Sequence, residues 1–395
     1  VYIPTTLSKI GAGAFGGCTE INEFIVSQDN PVFKTNDDGL LLDAAGKLVA
    51  YPWGKKTIDL TGVEVISEGQ FIGTTLTDLV IPNTVREIGF YAFAYSKHLK
   101  TVTFEEGSKL TSIGQFSFQY TPALETVDLT NTTSLTAIED RAFEHSGLMS
   151  IVLPETVKSI GISSFSYCDR LTSVIIKGEV QTGINTFTFC KVLETVVFEK
   201  PIEKLETNLF NGCSSLKNVV LPEGLTLIGQ AVFANSGLTE FTLPKTVEKI
   251  ENFAFKDCKN LATFNIPEDA KLYSIGNSAF ENSGLKSIKL PASLKEITLA
   301  AFSGCTQLEI IEFAEPTENL LIETYVFRGC TSATIYIPKK VTLNAARVFE
   351  GWTAEQTIYV IGRSEVEVME DWYGMFTDLL TYAWYSDAAA NVVWN

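Results

Sequence analysis

Seven cysteines offer this chain its most obvious reactive groups, and all of them occupy one place in a recurring phrase. Each follows a phenylalanine by three residues, in versions of the phrase I-G-x-x-A-F-x-x-C. They are Cys18, Cys168, Cys190, Cys213, Cys258, Cys305 and Cys330. Zinc sites of the common kind draw four converging ligands from C-x-x-C pairs, and the chain has no such pair. No metal site is predicted.

Disulfide formation is the second chemistry to consider for these thiols. Coils of a repeat protein stack about 4.8 Å apart, which brings Cys168, Cys190 and Cys213 within the Cα range of a bridge. The cysteine count is odd, however, and other repeats carry Ser or Thr at the same place. We interpret the position as one that needs a small, inward-facing side chain, and expect buried free thiols. Disulfides between neighbouring coils are the alternative.

Acid–base and nucleophilic catalysis find little support in the remaining residues. His98 and His145 occur at different repeat positions, and no nucleophile sits on a G-x-S-x-G elbow that could partner them. Paired carboxylates fall in predicted turns, whereas a glycosidase pair must face a shared cleft. The pairs are Asp37-Asp38, Glu105-Glu106 and Glu139-Asp140. We predict no catalytic residue, no cofactor and no enzymatic activity.

The phenylalanine of the phrase sets the architecture. It recurs fourteen times, and every interval after the first is 22, 23 or 25 residues. The members are Phe15, Phe71, Phe93, Phe118, Phe143, Phe165, Phe187, Phe210, Phe233, Phe255, Phe280, Phe302, Phe327 and Phe349. A fixed period in this range is typical of a solenoid, in which each coil buries its apolar face against its neighbours.

One coil, residues 238–258, shows the expected local structure. Its opening L-x-x-F-x-L alternates between apolar and polar residues, as a half-buried strand does, and Pro244 then ends the strand. Val247 and Ile250 are three residues apart, which favours a short helical or 3₁₀ turn before Phe255. We therefore predict a right-handed solenoid with a parallel β-sheet on its concave face and helical turns on its convex face.

Two regions depart from the repeat. Within the long first interval, the dipeptides Asp38-Gly39 and Ala45-Gly46 predict a β-hairpin insertion over about 24–57 that protrudes from the solenoid. After Trp352 the phrase decays, and 353–395 is rich in tryptophan, which suits an aromatic cap over the open end. The predicted domains are a solenoid of about fourteen coils over 1–352 and a cap over 353–395. An aromatic binding site in the cap is the alternative.

Composition excludes several classes of partner. The net charge is −17 and no basic stripe interrupts it, so nucleic acid is not an expected partner. No apolar run reaches the roughly 18–20 residues that a membrane-spanning helix needs. The chain opens in the middle of a repeat strand at Val1–Pro4, which indicates part of a longer protein whose localisation its N-terminus does not specify.

The repeat phrase resembles the BspA-like leucine-rich repeat family of bacterial cell-surface proteins. The family's repeat motif is nearly complete at 216–236 and 261–283, and the resemblance extends from residue 1 to about 362. It includes the N-P…D-G-L-L…Y-P motif of the insertion at 24–52. It implies an extracellular or cell-surface protein, with adhesion to a host or matrix protein, or to a glycan, as the expected activity. The family is defined by its framework, so the resemblance implies no particular ligand.

The residues that the framework leaves free are those facing outward from the concave sheet. One such column contains four consecutive β-branched residues beside a ladder of Ser, Thr and Asn, and later reaches two tyrosines near the aromatic end. The candidate ligand-binding residues are Val152, Ile175, Val197, Val220, Tyr336 and Tyr359. Ordinary sheet propensity also accounts for β-branched residues here. We expect a non-catalytic binding or adhesion module; the alternative is a structural spacer that displays another domain.

Overall fold

The computed structural model describes residues 1–11, 14–343, 347–362 and 391–394. The chain divides into two compact units, Val1–Lys200 and Pro201–Asn395. Each unit is a stack of β-coils, and most coils contribute one strand of three or four residues and one shorter strand. The solenoid prediction is therefore confirmed.

The first unit contains two kinds of parallel strand. At its start, β1 (Tyr2–Ile3) pairs with β2 (Ile25–Val26) of the following coil. The long strands of later coils are β7 (Asp78–Ile81), β9 (Thr101–Phe104), β11 (Thr126–Asp128), β13 (Ser150–Leu153), β15 (Ser173–Ile176) and β17 (Thr195–Phe198). The short strands are β6 (Val65–Ile66), β8 (Glu87–Ile88), β10 (Ser112–Ile113), β12 (Ala137–Ile138), β14 (Ser159–Ile160) and β16 (Gln181–Thr182).

The second unit repeats this arrangement. Its long strands are β19 (Asn218–Val220), β21 (Glu240–Thr242), β23 (Thr263–Asn265), β25 (Ser287–Leu290), β27 (Ile310–Phe313), β29 (Thr334–Ile337), β31 (Thr357–Val360) and β32 (Asn391–Trp394). The strands of the other sheet are β18 (Lys204–Leu205), β20 (Leu227–Ile228), β22 (Lys249–Ile250), β24 (Ser274–Ile275), β26 (Glu296–Ile297), β28 (Leu320–Ile322) and β30 (Val341–Leu343). From β21 onward the long strands pair from coil to coil in the order β21-β23-β25-β27-β29-β31-β32, and the strands of the other sheet pair in the order β18-β20-β22-β24-β26-β28-β30.

Alternation along the long strands decides which side chains form the core. In β13, Ile151 and Leu153 are buried whereas Ser150 and Val152 face outward, because successive side chains of a strand point to opposite faces. The predicted inward and outward columns are confirmed by this pattern.

The repeat phenylalanines form a stacked column inside the first unit. From Phe93 through Phe118, Phe143 and Phe165 to Phe187, every ring is fully buried. Their centroids lie 5.2–5.4 Å apart and their planes are within 17° of parallel. This separation is close to the spacing of paired strands, so each ring packs on its equivalent one coil away.

The segments around these phenylalanines are turns, and the prediction of helical turns is wrong. No helix occurs in the residues that the structure describes. Around Phe93, Tyr91 and Tyr95 have φ values of 52° and 60°, and such left-handed residues interrupt a right-handed helix. The amides of Tyr91, Phe93 and Tyr95 instead donate to carbonyls one coil away, at N···O distances of 2.7–3.1 Å. A helix would have kept these bonds within its own coil.

The insertion is antiparallel, as predicted, but it has three strands. These are β3 (Phe33–Thr35), β4 (Leu41–Asp43) and β5 (Leu48–Ala50), in the order β3-β4-β5. Gly39 and Gly46, with φ values of 73° and 82°, lie at the two predicted turns. Tyr51 follows the last strand and packs on Phe71 with a 4.4 Å centroid separation. The insertion thus joins the core of the solenoid through Tyr51.

The predicted cap region begins by continuing the sheet. Strand β31 pairs in parallel with β29, and β32 pairs in parallel with β31. Trp352 is buried, and its Nε1 donates to the Phe327 carbonyl over 2.8 Å. Trp372 and Trp384 lie outside the described residues, and the boundary between 352 and 353 stays a prediction.

All seven cysteines are free, as expected, and six of them are buried. Cys18 is exposed, so the expectation of an inward-facing thiol is wrong for the first coil, whose Phe15 is itself only half-buried. Each thiol of Cys168, Cys190 and Cys258 donates to the carbonyl of the preceding coil's phenylalanine over 2.9–3.2 Å. In these coils the side chain at this position is a hydrogen-bond donor as well as a buried group.

Truncating one ring of the phenylalanine column should destabilise the protein strongly. We expect Phe165→Ala to lower the free energy of unfolding by roughly 3–5 kcal/mol, since it removes a fully buried aromatic ring that packs on both neighbouring coils. Urea denaturation followed by circular dichroism measures the change. Tyr167→Asn is the matched control, because Tyr167 is exposed in the same coil and Asn occupies the equivalent left-handed position at Asn235. An equal loss in both variants would contradict the role of the column.

The hydrogen bond that the Cys258 thiol donates predicts different results for two substitutions. Cys258→Ser should change the unfolding free energy by less than about 0.5 kcal/mol, whereas Cys258→Ala should cost about 1–2 kcal/mol through loss of the bond to the Phe233 carbonyl. Burial also raises the pKa of the Cys258 thiol to about 11. Only Cys18 should therefore react quickly with a thiol reagent at about pH 8 in the native protein. Rapid modification of several thiols would show that the buried column is open.

Candidate binding surface

The outer face of the first unit's long strands carries an apolar stripe. Val152, Ile175 and Val197 are in register on β13, β15 and β17. Val152 is 43% exposed, and the other two are half-buried by their neighbours. These are three of the six residues proposed from the sequence, and the structure places them side by side.

A hydroxyl ladder runs beside the stripe on the same face. Ser150, Ser173 and Thr195 pair in register, two residues before the apolar residue of each strand. The ladder and the stripe together contain no charged side chain. This part of the face offers rigid β-branched groups flanked by hydrogen-bonding groups.

Val220, the fourth residue of the predicted stripe, belongs to the second unit. It ends strand β19 and is 52% exposed. The first unit therefore contributes three of the four predicted members, and the second unit contributes Val220.

Tyr336 and Tyr359 form a stacked pair on the outer face of the second unit. They are in register on β29 and β31, and their rings lie 4.8 Å apart with an interplanar angle of 6°. Glu312 precedes them in the column, and Val393 of β32 follows. Tyr336 is 37% exposed, so the pair presents ring edges and hydroxyl groups to solvent.

Within the first unit, charge on the outer face lies on the earlier strands β7 and β11. Thr101 donates a 2.5 Å hydrogen bond to the Asp78 carboxylate, and Thr77 donates a second one of 2.8 Å. These bonds lower the pKa of Asp78, since they stabilise its ionised form. Asp128 has a lowered pKa for the same reason, through Thr130. This end of the face stays negative in mild acid, in contrast to the neutral stripe.

Two of the carboxylates considered for catalysis have structural partners. Glu139 accepts from the Gln115 amide and Asp140 from the Ile162 amide, so this pair links three coils. Burial raises the pKa of the Cys305 thiol to about 11, which keeps it protonated and weakly nucleophilic at neutral pH. Within the described ranges, no group of three or more His, Cys, Asp and Glu residues is arranged to hold a metal ion.

An exposed aromatic ladder was missed from the sequence. Tyr95, Tyr120, His145, Tyr167 and Phe189 stack in order on the turns of the first unit, with centroid separations of 4.5–5.3 Å. Each lies two residues after a repeat phenylalanine. Its signal in the sequence is an aromatic residue at that position in five consecutive coils.

Nothing in the described part of the chain forms a helix with the length and apolar character that crossing a bilayer requires. No curated protein matches the chain significantly.

Several solved structures are similar to the chain. A leucine-rich repeat protein from Bacteroides ovatus is 21% identical, with 78% of this chain and 94% of that one covered and a TM-score of 0.48. A leucine-rich cell surface protein from Faecalibacterium prausnitzii is 24% identical over 95% and 81% of the two chains, with a TM-score of 0.40. The pneumococcal vaccine antigen PcpA is 18% identical over 92% and 99%, with a TM-score of 0.43.

The family comparison is more direct, since it concerns the repeat itself. Six copies of the BspA type leucine rich repeat region match residues 1–36, 64–182, 136–246 and 227–356. These ranges span most of the chain and include the strands of the apolar stripe and of Tyr336. The chain belongs to the BspA-type leucine-rich repeat family.

Proposed function

We propose that this chain is a non-catalytic, extracellular and surface-associated module that binds a host or matrix protein through the outer face of its long strands. The observation that carries the proposal is the uncharged stripe of Val152, Ile175 and Val197 beside its hydroxyl ladder. The backbone N–H and C=O groups of the long strands hydrogen-bond to the neighbouring coils. A partner on this face would therefore be recognised through side chains.

The stripe has the physical character of a protein interface. Val and Ile have stiff side chains and lose little conformational entropy on contact. The adjacent hydroxyls of Ser150, Ser173 and Thr195 supply donors and acceptors at the edge of the apolar contact. Protein–protein interfaces typically have an apolar centre that is depleted of charged residues, with polar groups around it.

The tyrosine pair provides a second contact of the same kind. Tyr336 and Tyr359 hold each other in place by stacking, so a partner does not have to order them. Tyrosines contribute much of the binding energy at many interfaces. One face of each ring is covered by the other ring, which leaves less open ring face for a sugar. The arrangement favours a protein over a glycan.

The family supports the proposed surface location, and the acidic charge of −17 agrees with it. A protein with this charge stays soluble and resists non-specific binding to nucleic acid. A spacer that displays another domain would use the same framework, but it would not depend on the chemistry of the outer face.

Two substitutions separate a binding module from a spacer. Val197→Glu should weaken capture of a protein ligand at least tenfold, because it buries a charge in the apolar contact. Tyr336→Ala should weaken it to a similar extent by removing the stacked pair. The matched controls are Ser159→Glu on the short strand β14 and Tyr273→Ala at another exposed tyrosine of the second unit. Neither control should alter binding.

Binding is measured by interferometry on a panel of host extracellular and matrix proteins with a parallel glycan array, and folding by the melting temperature. The binding variants should melt within about 3 °C of the parent, as expected for surface substitutions. Capture that survives both substitutions, or no capture by the intact protein, would favour the spacer. Turnover on a glycan or peptide panel would overturn the non-catalytic assignment.

A further inference from the structure

A cavity of about 440 Å³ lies in the first unit, between the first coil, the insertion and the coil of Phe71. It is on none of the outer-face columns discussed above. Its volume falls in the range of pockets that hold small organic ligands.

The cavity lies where the stack of repeat phenylalanines ends, because Phe15 does not pack on Phe71. The column continues from Phe71 to Tyr51 of the insertion, at a centroid separation of 4.4 Å. Phe15 instead packs edge-on against Phe24, 5.0 Å away, and remains half-buried. Phe15 and Tyr51 both line the space that results.

The floor of the cavity is aromatic and apolar. Tyr51 and Trp53 are buried and stack with centroids 5.0 Å apart, and Phe33 and Leu48 are buried beside them. Flat walls of this kind fit a planar apolar body, which gains both from burial and from ring contacts.

The mouth of the cavity is polar and includes two lysines. Lys9 and Lys47 are exposed lining residues, and within the described ranges neither has an ion-pair partner. Of the two lining carboxylates, Glu68 is exposed, whereas Asp43 accepts the backbone amides of Ala45 and Lys47 within its own turn. Each ammonium group is therefore free to pair with an anionic group at the mouth, whereas the Asp43 carboxylate is directed to its own turn.

The aromatic floor and the two ammonium groups at the mouth together define the ligand. We infer that the cavity binds a small planar apolar molecule that carries one anionic group.

Gly69 allows the cavity to be filled without a new backbone conformation. Its φ is +59°, and a Cβ placed on it meets nothing within 4 Å. The equivalent position of the next coil holds Tyr91 at a φ of 52°, so tyrosine is accepted there. Gly73 lies on the other side of Phe71, has a φ of +71° with equal free space, and does not line the cavity.

The test is a titration of the intact chain with 1-anilinonaphthalene-8-sulfonate, a planar apolar anion, and with the neutral N-phenyl-1-naphthylamine. Energy transfer from Trp53, the one tryptophan before Trp352, reports binding near the cavity. We expect one saturable site for the anionic probe. Gly69→Tyr should weaken it at least tenfold, and Gly73→Tyr, which carries the same residue and strain in the same coil, should leave it within twofold.

Replacing both lysines separates the two parts of the inference. The Lys9→Gln, Lys47→Gln variant should weaken the anionic probe at least threefold and leave the neutral probe unchanged. Equal binding by the Gly69 and Gly73 variants, with matching melting temperatures, would overturn the cavity as the site. Equal affinity for both probes, unaffected by the lysine changes, would overturn the preference for an anion.

Discussion

The coil-to-coil hydrogen bonds of the phenylalanine turns are the constraint on which the rest of the structure depends. Amides such as those of Tyr91, Phe93 and Tyr95 must meet carbonyls of the next coil, which requires left-handed residues two positions before and two after the phenylalanine. An isolated coil would leave these groups unpaired at a cost that stacking removes. Every coil must therefore repeat one backbone path, and the phenylalanine rings stack as a consequence.

This constraint explains why the cysteine position is conservative in chemistry but variable in residue type. In several coils its side chain donates to the carbonyl of the preceding coil's phenylalanine, through Sγ in Cys190, Oγ in Ser96 and Nε1 in Trp352. Three unlike residues share one function, since each is a donor that reaches the same acceptor. Tyr51 likewise combines packing with a hydrogen bond. Its ring continues the phenylalanine column, and its hydroxyl donates to Thr74 over 2.8 Å.

The sequence predicted what depends on periodicity and failed where several residue types satisfy one conformation. The repeat of phenylalanine predicted the solenoid, and strand alternation predicted that Val152 and Tyr336 face outward. The turns were wrongly predicted to be helical because their left-handed positions are occupied by Tyr91, Arg141 and Ala231 as well as by glycine. Residue type therefore does not indicate the positive φ at these positions. The cavity was beyond prediction, since it depends on whether Phe15 or Tyr51 takes the next place on the ring of Phe71.

The regular coils and the interrupted one are suited to different kinds of ligand. Where the period is kept, every coil offers the same shallow face, and affinity has to come from the sum of many side-chain contacts along it, as in other solenoids. Where the insertion breaks the period, Phe15 packs edge-on against Phe24 instead of stacking in the column, and a concave site opens beside it. A small molecule needs such enclosure because it has few atoms with which to offset its lost freedom of motion. A repeat protein of this design gains a pocket only by giving up a coil-to-coil contact, so departures from the period are the places at which to look for one.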